Sequence, residues 1–528
     1  MNSVAHVFPI AILSIFACLA VPWINPFAPG PSAAMVPWFV TVGCVALALL
    51  VLPRNGFSLR TLRGWWLGIA LISVLLALCQ YLRIEHWFAP WISPSADGTA
   101  YANLRQRNQF GTLCGMGLLS LLFLRQTLGN PVQHTRWQTA WPWLAVTVLA
   151  IGNGLSSSRT GALQWLLIAA LVWLWRGSLQ RRVRVLAYGA LGIYALVVLA
   201  MPWFAAAVGN ASNGLWGRAQ EGLGQGIAGN SRWWLYSNVL ELIAQKPWLG
   251  WGWRELAYAH YSTHFDTRFT ELLDNAHNLP LHLAVELGVP FALAFCGAVL
   301  WWIVRNGPWR ETNPARQLAW GVLMLIGVHS MVEYPLWYGP FVITLGLCIG
   351  LLLSPRPSRA RATDAPADRA APVTATQDAK STLDLQSNRP PSQSITAQAA
   401  IKYIAVTILV FTAYAAFDYH RISQIYLPFE ERSARYRDNA LEHAQKSWLF
   451  QNHARFAELV ITPVTRESAP RVLALALDMI HFSPEPRVIE ALIESATMLH
   501  QDDIAMFHLA RYKEVYPTDY AAWSALKR

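Results

Sequence analysis

Six polar or charged positions stand beside hydrophobic stretches in an otherwise strongly apolar chain, and their side chains are the kinds that handle an anionic substrate. They are Gln106 and Asn108 in Asn103-Leu-Arg-Gln-Arg-Asn-Gln109, Arg159 in Ser156-Ser-Ser-Arg-Thr160, Arg232 in Gly229-Asn-Ser-Arg-Trp-Trp234, His277 in Asp274-Asn-Ala-His-Asn278, and Glu333 in Glu333-Tyr-Pro-Leu-Trp-Tyr338. A guanidinium stays charged and its fork grips phosphate oxygens in pairs, which suits a diphosphate better than a lone carboxylate. An imidazole, with an unperturbed pKa of ~6.5, can take a proton from an attacking hydroxyl at neutral pH. Amides such as Gln106, Asn108 and Gln109 suit sugar hydroxyls and phosphate oxygens.

Each position also has a plainer role. An arginine at a membrane end can simply snorkel to the headgroups, and a histidine before a helix can bond to backbone. The amides can cap a helix. Pro335 stiffens the turn that holds Glu333 and Tyr334, but that does not account for Glu333. Asp274, three residues before His277, is a candidate to orient the imidazole. His282 and Glu286 fall inside an apolar stretch, where ionisable groups are costly and face a cavity or a partner. Asp274, His260, His264 and His277 match no zinc-ligand spacing, so no metal is expected.

These groups must be positioned by a membrane body. Hydrophobic residues make up 54% and charged residues 13% of 528 positions, with 26 tryptophans, a composition that points to a polytopic, all-α membrane protein. Stretches near residues 4–24, 34–52, 64–82, 109–124, 139–155, 161–175, 185–204, 279–304, 318–332, 335–353 and 401–417 reach or approach the ~17–25 residues of a membrane helix. About 11 transmembrane helices are therefore expected. Arginines gather in alternate short turns: Arg54, Arg60 and Arg63; Arg125 and Arg136; Arg176, Arg181, Arg182 and Arg184; Arg305, Arg310 and Arg316. By the positive-inside bias these turns and the N-terminus are cytoplasmic. The net charge of +11 is then mainly a topology signal, not a nucleic-acid footprint. Alternation places the turns at 83–108, Arg159 and Glu333, together with the loop 205–278, on the opposite side. The first segment lacks a basic leader and a small-residue cleavage site and reads as a retained helix. All six cysteines fall within the apolar stretches, in no metal-ligand pattern, so neither disulfides nor a cysteine-based metal site is expected.

Residues 1–204 thus read as N-terminal membrane helices 1–7, 205–278 as a large external loop of a length that is usually functional, and 279–353 as helices 8–10. Residues 354–400 have the polar, Pro-rich composition of a disordered cytoplasmic linker. Residues 401–417 form helix 11, delivering 418–528 to the outer side. That tail has helical apolar spacing at Val472, Leu473, Leu475, Leu477 and Ile480. Its Pro484 and Pro517, 33 positions apart, hint at tetratricopeptide-like helix pairs, with an unspecific helical bundle as the alternative.

From about residue 100 onward, excluding the linker, the chain resembles bacterial PglL-type protein O-oligosaccharyltransferases, within the wider O-antigen ligase and polymerase superfamily. The resemblance rests on Asn103-Leu-Arg-Gln-Arg-Asn-Gln-Phe110, on Asn230-Ser-Arg-Trp through Pro247-Trp-Leu-Gly-Trp-Gly252 to Asp274-Asn-Ala-His-Asn-Leu279, and on Val332-Glu-Tyr-Pro-Leu-Trp-Tyr338 followed by a helical tail. It implies a GT-C-type glycosyltransferase fold and an inverting transfer of a glycan from undecaprenyl diphosphate to serine or threonine of an exported protein such as pilin. It also implies that no nucleotide sugar, cofactor or metal takes part. On that reading His277 activates the hydroxyl, Arg159 and Arg232 bind the donor diphosphate, and Gln106, Asn108, Glu333 and Tyr334 position substrate, all on the periplasmic face of the inner membrane. Rival readings are an O-antigen ligase acting on lipid A core, a polymerase extending the chain on lipid, and a lipid-linked glycan flippase. The flippase lacks support from repeat symmetry or paired broken helices.

Overall fold

The computed structural model describes residues 3–28, 31–52, 64–95, 99–128, 136–210, 214–215, 217, 231–354 and 395–526, with side chains from Leu13. The turn with Arg54, Arg60 and Arg63, nearly all of the 354–400 linker and part of the 205–278 loop lie outside these residues. Among the described residues all regular structure is helical. The membrane half comprises α1 (Ser3–Ile24), α2 (Met35–Leu50), α3 (Trp65–Tyr81), α4 (Arg107–Thr127), α5 (Arg136–Ser156), α6 (Arg159–Leu174) and α7 (Arg181–Ala207). The loop contributes α8 (Ser231–Gln245) and α9 (Leu256–Ser262). Next come α10 (Leu279–Leu287), α11 (Val289–Asn306), α12 (Pro314–Ser330), α13 (Gly339–Leu353) and α14 (Ile395–Ser423). The tail holds α15 (Ala440–Gln445), α16 (Gln451–Ile461), α17 (Ala469–Phe482), α18 (Pro486–Met498), α19 (Asp502–Val515) and α20 (Pro517–Leu526).

Among the described residues three stretches are long and apolar enough to cross a bilayer: Arg181–Ala207, Val289–Arg310 and Thr396–Tyr426. Shorter apolar helices, among them Met35–Leu50, Trp65–Tyr81, Arg159–Leu174 and Gly339–Leu353, accompany them. At ~1.5 Å per residue a 16-residue helix reaches roughly 24 Å, short of a ~30 Å hydrocarbon core. The apolar run 279–304 is not one helix. It breaks at Gly288, where φ is +89°, and Pro290 opens a new helix.

One core unites α1 to α7 with α12 and α13, and α4 is its axis: every residue from Gln109 to Phe123 is buried. Small residues permit this. A Cβ on Gly161 of α6 would lie 2.2 Å from Asn153 Oδ1 and 3.2 Å from the Gly111 backbone of α4, so only glycine lets these helices meet.

The 231–287 segment has its own core, with Leu235, Val239 and Leu242 of α8 packed among Leu256, Phe265, Leu273 and Val285. The Pro247–Gly252 turn clasps the end of α10. Trp251 N–H donates to Val285 O at 2.8 Å, Gly252 N–H to Glu286 O at 3.0 Å, and Val289 N–H to Pro247 O at 2.8 Å. Side chains are barred from this clasp: a Cβ on Gly288 would sit 2.1 Å from Trp248 O. His282 and Glu286 lie before the break, buried, with Nε2 and Oε2 3.6 Å apart.

In the tail, consecutive helices α16 to α20 pack each on the next, and Tyr261 of α9 belongs to their core. Tyr261 OH meets His508 Nδ1 at 2.8 Å, and His481 Nδ1 meets Glu255 Oε2 at 2.8 Å. The tail is therefore docked on the loop that carries Arg232 and His277.

Candidate active site

Four helices begin around one carboxylate. Gln106 is extended and its side chain accepts from Gln109 N–H at 2.8 Å, capping α4. Ser158 caps α6 the same way, accepting from Gly161 N–H at 2.9 Å. Asn278 caps α10, its Oδ1 accepting from Leu281 N–H at 3.0 Å. Ser and Asn are favoured at such positions, and Gln106 reaches the same N–H with its longer side chain. Arg232 lies in the first turn of α8. Helix N-termini carry partial positive charge and exposed N–H groups, so their convergence builds an anion-favouring end of the bundle.

The carboxylate at the focus is Glu333, in the turn after α12 and only 6% exposed. Its backbone N–H donates to His329 O at 2.9 Å, continuing the helix end, and Pro335 follows two residues later. Its Oε2 lies 2.8 Å from His277 Nδ1. Its Oε1 accepts from Asn108 Nδ2 at 3.0 Å and from Arg232 Nη2. Asn108 in turn takes a 2.7 Å hydrogen bond from Ser158 Oγ onto Oδ1, which ties the starts of α4 and α6 to the same carboxylate.

This arrangement settles the imidazole tautomer. An ionised carboxylate only accepts, so His277 Nδ1 carries the proton and the lone pair of the neutral ring lies on Nε2. Burial by itself would raise the Glu333 carboxyl, but the hydrogen bond from His277 and the electrostatic influence of the His277 ring, the Arg232 guanidinium and the His329 ring outweigh it and hold the group below the usual carboxylate range. Glu333 is thus ionised at neutral pH. Burial, with Tyr338, Asp274 and Glu333 nearby, pushes the Tyr334 phenol well up, so it stays protonated and is no base. The Tyr334 ring instead meets the His277 ring edge-on at 5.0 Å. His277 has φ +49°, a strained value for a non-glycine residue, and its N–H is held by Asn275 Oδ1 at 2.8 Å.

Of the residues singled out by sequence, Asn108, Arg232, His277 and Glu333 touch directly, and Tyr334 lies against His277. Gln106 stands two residues away as a cap. Arg159 is exposed at the first position of α6, next to Ser158, with no partner among the described residues. Asp274 makes no hydrogen bond to His277: the orienting carboxylate is that of Glu333, 56 positions further on. Ser158 and the pair Thr112–His329, joined at 3.0 Å beneath Asn108, went unnoticed in sequence. The serine's position before α6 was the available signal. Among the described residues no three His, Cys, Asp or Glu side chains cluster as metal ligands. His260 is buried on Asn238, with its Nε2 3.4 Å from the amide oxygen.

Three family models match the chain, and each supplies part of this cluster. Residues 100–124 match a protein glycosylation ligase model and hold Gln106 and Asn108. Residues 144–296 match an O-antigen ligase model and hold Arg159, Arg232 and His277. Residues 317–528 match the C-terminal region of a virulence factor membrane-bound polymerase and hold Glu333. The chain is similar to O-antigen ligases and protein glycosylation ligases. A general O-oligosaccharyltransferase of Acinetobacter baylyi is 27% identical over 297 residues, 55% of this chain and 50% of that protein. A ComP-specific O-oligosaccharyltransferase of the same organism is 25% identical over 306 residues, 56% and 52% respectively. The similarity therefore spans about half the length of these relatives. The three matched regions meet at Glu333.

Proposed function

We propose that the chain is an O-oligosaccharyltransferase of the bacterial inner membrane, moving a whole oligosaccharide from undecaprenyl diphosphate to a serine or threonine hydroxyl of an exported protein such as pilin. The observation that carries this reading is the triple contact of Glu333: a base oriented through Nδ1, a guanidinium and an amide share one carboxylate. In the reaction, the acceptor hydroxyl gives its proton to His277 Nε2 as its oxygen attacks the anomeric carbon. The bond to the diphosphate breaks on the opposite face, with inversion. Arg159, Arg232 and the helix N-termini stabilise the departing diphosphate. A guanidinium has five N–H donors, so holding Glu333 through Nη2 is compatible with a second anion on the same fork. Gln106 and Asn108 position the sugar or acceptor, and Tyr334 and Glu333 fix the imidazole plane.

In the membrane, eleven helices place this end of the bundle in the periplasm, with the N-terminus cytoplasmic and residues 418–528 periplasmic. Support comes from the meeting of the turns at 103–108, 156–160 and 330–335, which strict alternation puts on one side. The tail serves as an acceptor platform, a role supported by its docking on the loop that carries His277.

The test is transfer by the purified full chain supplied with lipid-linked oligosaccharide and either a pilin or lipid A core. Glycan on the pilin is expected. Glycan only on the core would make the chain an O-antigen ligase, the reading favoured by the 144–296 match. Lipid crossing the bilayer without transfer would make it a flippase.

A further inference from the structure

A second group of charges gathers at the far ends of the helices that build the Glu333 cluster. Arg125 near the end of α4, Arg181 and Arg182 at the start of α7, and Thr139, Pro142 and Trp143 in the first turns of α5 line a cleft of about 700 Å³. Seventeen residues separate Asn108 from Arg125 along α4, roughly 26 Å at the helical rise, so this cleft and the Glu333 cluster lie at opposite ends of the bundle.

Among the described residues the arginines of the cleft have no counter-ion. The sequence has no Asp or Glu from residue 99 to residue 220, and none of the three meets a carboxylate among the described residues. Glu311, the acid of a neighbouring turn, is committed to Arg316 at 2.9 Å. Arg182 is held in place by neutral acceptors, Gln180 Oε1 at 2.7 Å and Leu128 O at 2.8 Å. Pro142, Trp143, Val185 and Leu186 form an apolar wall beside the arginines, and the flank next to the cleft exposes Trp137, Leu144, Val185 and Tyr188. α7 is long and apolar enough to span a bilayer. The cleft therefore joins a cationic rim to a face suited to hydrocarbon. Positive-inside arginines need only reach water; partial enclosure among α4, α5 and α7 is more than topology requires.

We infer that this cleft binds the headgroup of an anionic phospholipid, with the phosphodiester between Arg125, Arg181 and Arg182 and the acyl chains along the exposed flank of α5 and α7. A free phosphate shares the headgroup chemistry but makes no use of the apolar flank.

Native mass spectrometry of the full chain in detergent, titrated with phosphatidylglycerol or phosphatidylethanolamine, tests this, with inorganic diphosphate as the free-anion arm. Wild type is expected to prefer phosphatidylglycerol, and R125Q/R181Q to lower that preference about thirtyfold. Arg182 is left intact because it also fastens Leu128. Thr139→Trp, which fills the cleft without touching a charge, should also lose the lipid. Helical content and elution volume establish that both variants are folded. The inference is overturned by a wild type without preference, by variants that keep it, or by diphosphate displacing the lipid at equal concentration. The wild-type titration decides the matter even if a variant fails to fold.

Discussion

The two ends of the helical bundle treat arginine in opposite ways. At the Glu333 end Arg232 is matched to a carboxylate that also fixes an imidazole and an amide, and the helix starts around it are capped by side chains. At the far end three arginines share a cleft in which, among the described residues, they meet no carboxylate, Arg182 bonds to neutral acceptors, and Pro142, Trp143, Val185 and Leu186 supply an apolar wall. Paired charge costs attraction for a ligand but fixes direction, which proton transfer needs. Unmatched charge gives up direction and keeps attraction, which suffices to hold a headgroup.

Removing the two directed groups should have the greatest consequence. In the pilin-transfer assay His277→Ala should lower the rate by about 10²–10⁴, the range for a lost general base, with unchanged protein levels in the membrane. Arg232→Ala should cost at least as much. A polyprenyl diphosphate is already a good leaving group whose charge must be met, and the substitution also strips Glu333 of its ion pair. Arg232→Lys should restore only part, since an ammonium lacks the planar fork. Near-normal transfer by either alanine variant would remove the directed role.

Glu333→Gln comes next, and it separates positioning from charge. The amide can still face Asn108 but no longer selects the Nδ1–H tautomer, so a rate loss of roughly 10–10² is expected. A second readout is stability against pH. The Glu333 carboxyl is lowered in the folded state, so its contribution is present above the unfolded value of ~4.3 and is lost as pH falls through the folded one. Wild type should therefore lose more melting temperature than Glu333→Gln on going from pH 5 toward 3. Parallel curves would mean that the pairs of Glu333 contribute nothing.

Gly288→Ala loosens one end alone. Its Cβ would clash with Trp248 O, and φ +89° is unfavourable for any side chain. A cost of a few kcal/mol is expected, confined to the 247–288 clasp. Hydrogen exchange should speed there, while exchange in α5 and lipid retention at the far cleft stay as in wild type.

Much of this was legible in sequence for physical reasons that can be named. Alternation of spans put the turns at Asn108, Arg159 and Glu333 on one side, and the structure brings Asn108, Ser158 and Glu333 into contact. What sequence hid was pairing at a distance: Asp274 is close to His277 along the chain, but tertiary packing gives the imidazole to Glu333. The break at Gly288 was masked because apolar residues continue through it, although Gly-Val-Pro carries both a stop and a start. The far cleft was read only as a topology signal, since Arg125 and Arg181 belong to different turns and only packing of α4, α5 and α7 makes them one site.

The smallest expected effect is also the cleanest discriminator between the ends. R125Q/R181Q removes two charges from the far cleft, twice the formal charge of any single substitution at the Glu333 end. If electrostatic field alone governed the reaction, transfer should fall. If direction matters, the variant should transfer glycan in detergent at the wild-type rate, because ~26 Å of protein and screening separate the two ends. Rates of wild type and R125Q/R181Q measured side by side at low and at physiological salt decide between these. A loss in the variant that disappears with salt would show the far arginines to be acting on the reaction through the field, and the division of labour between the two ends would fall.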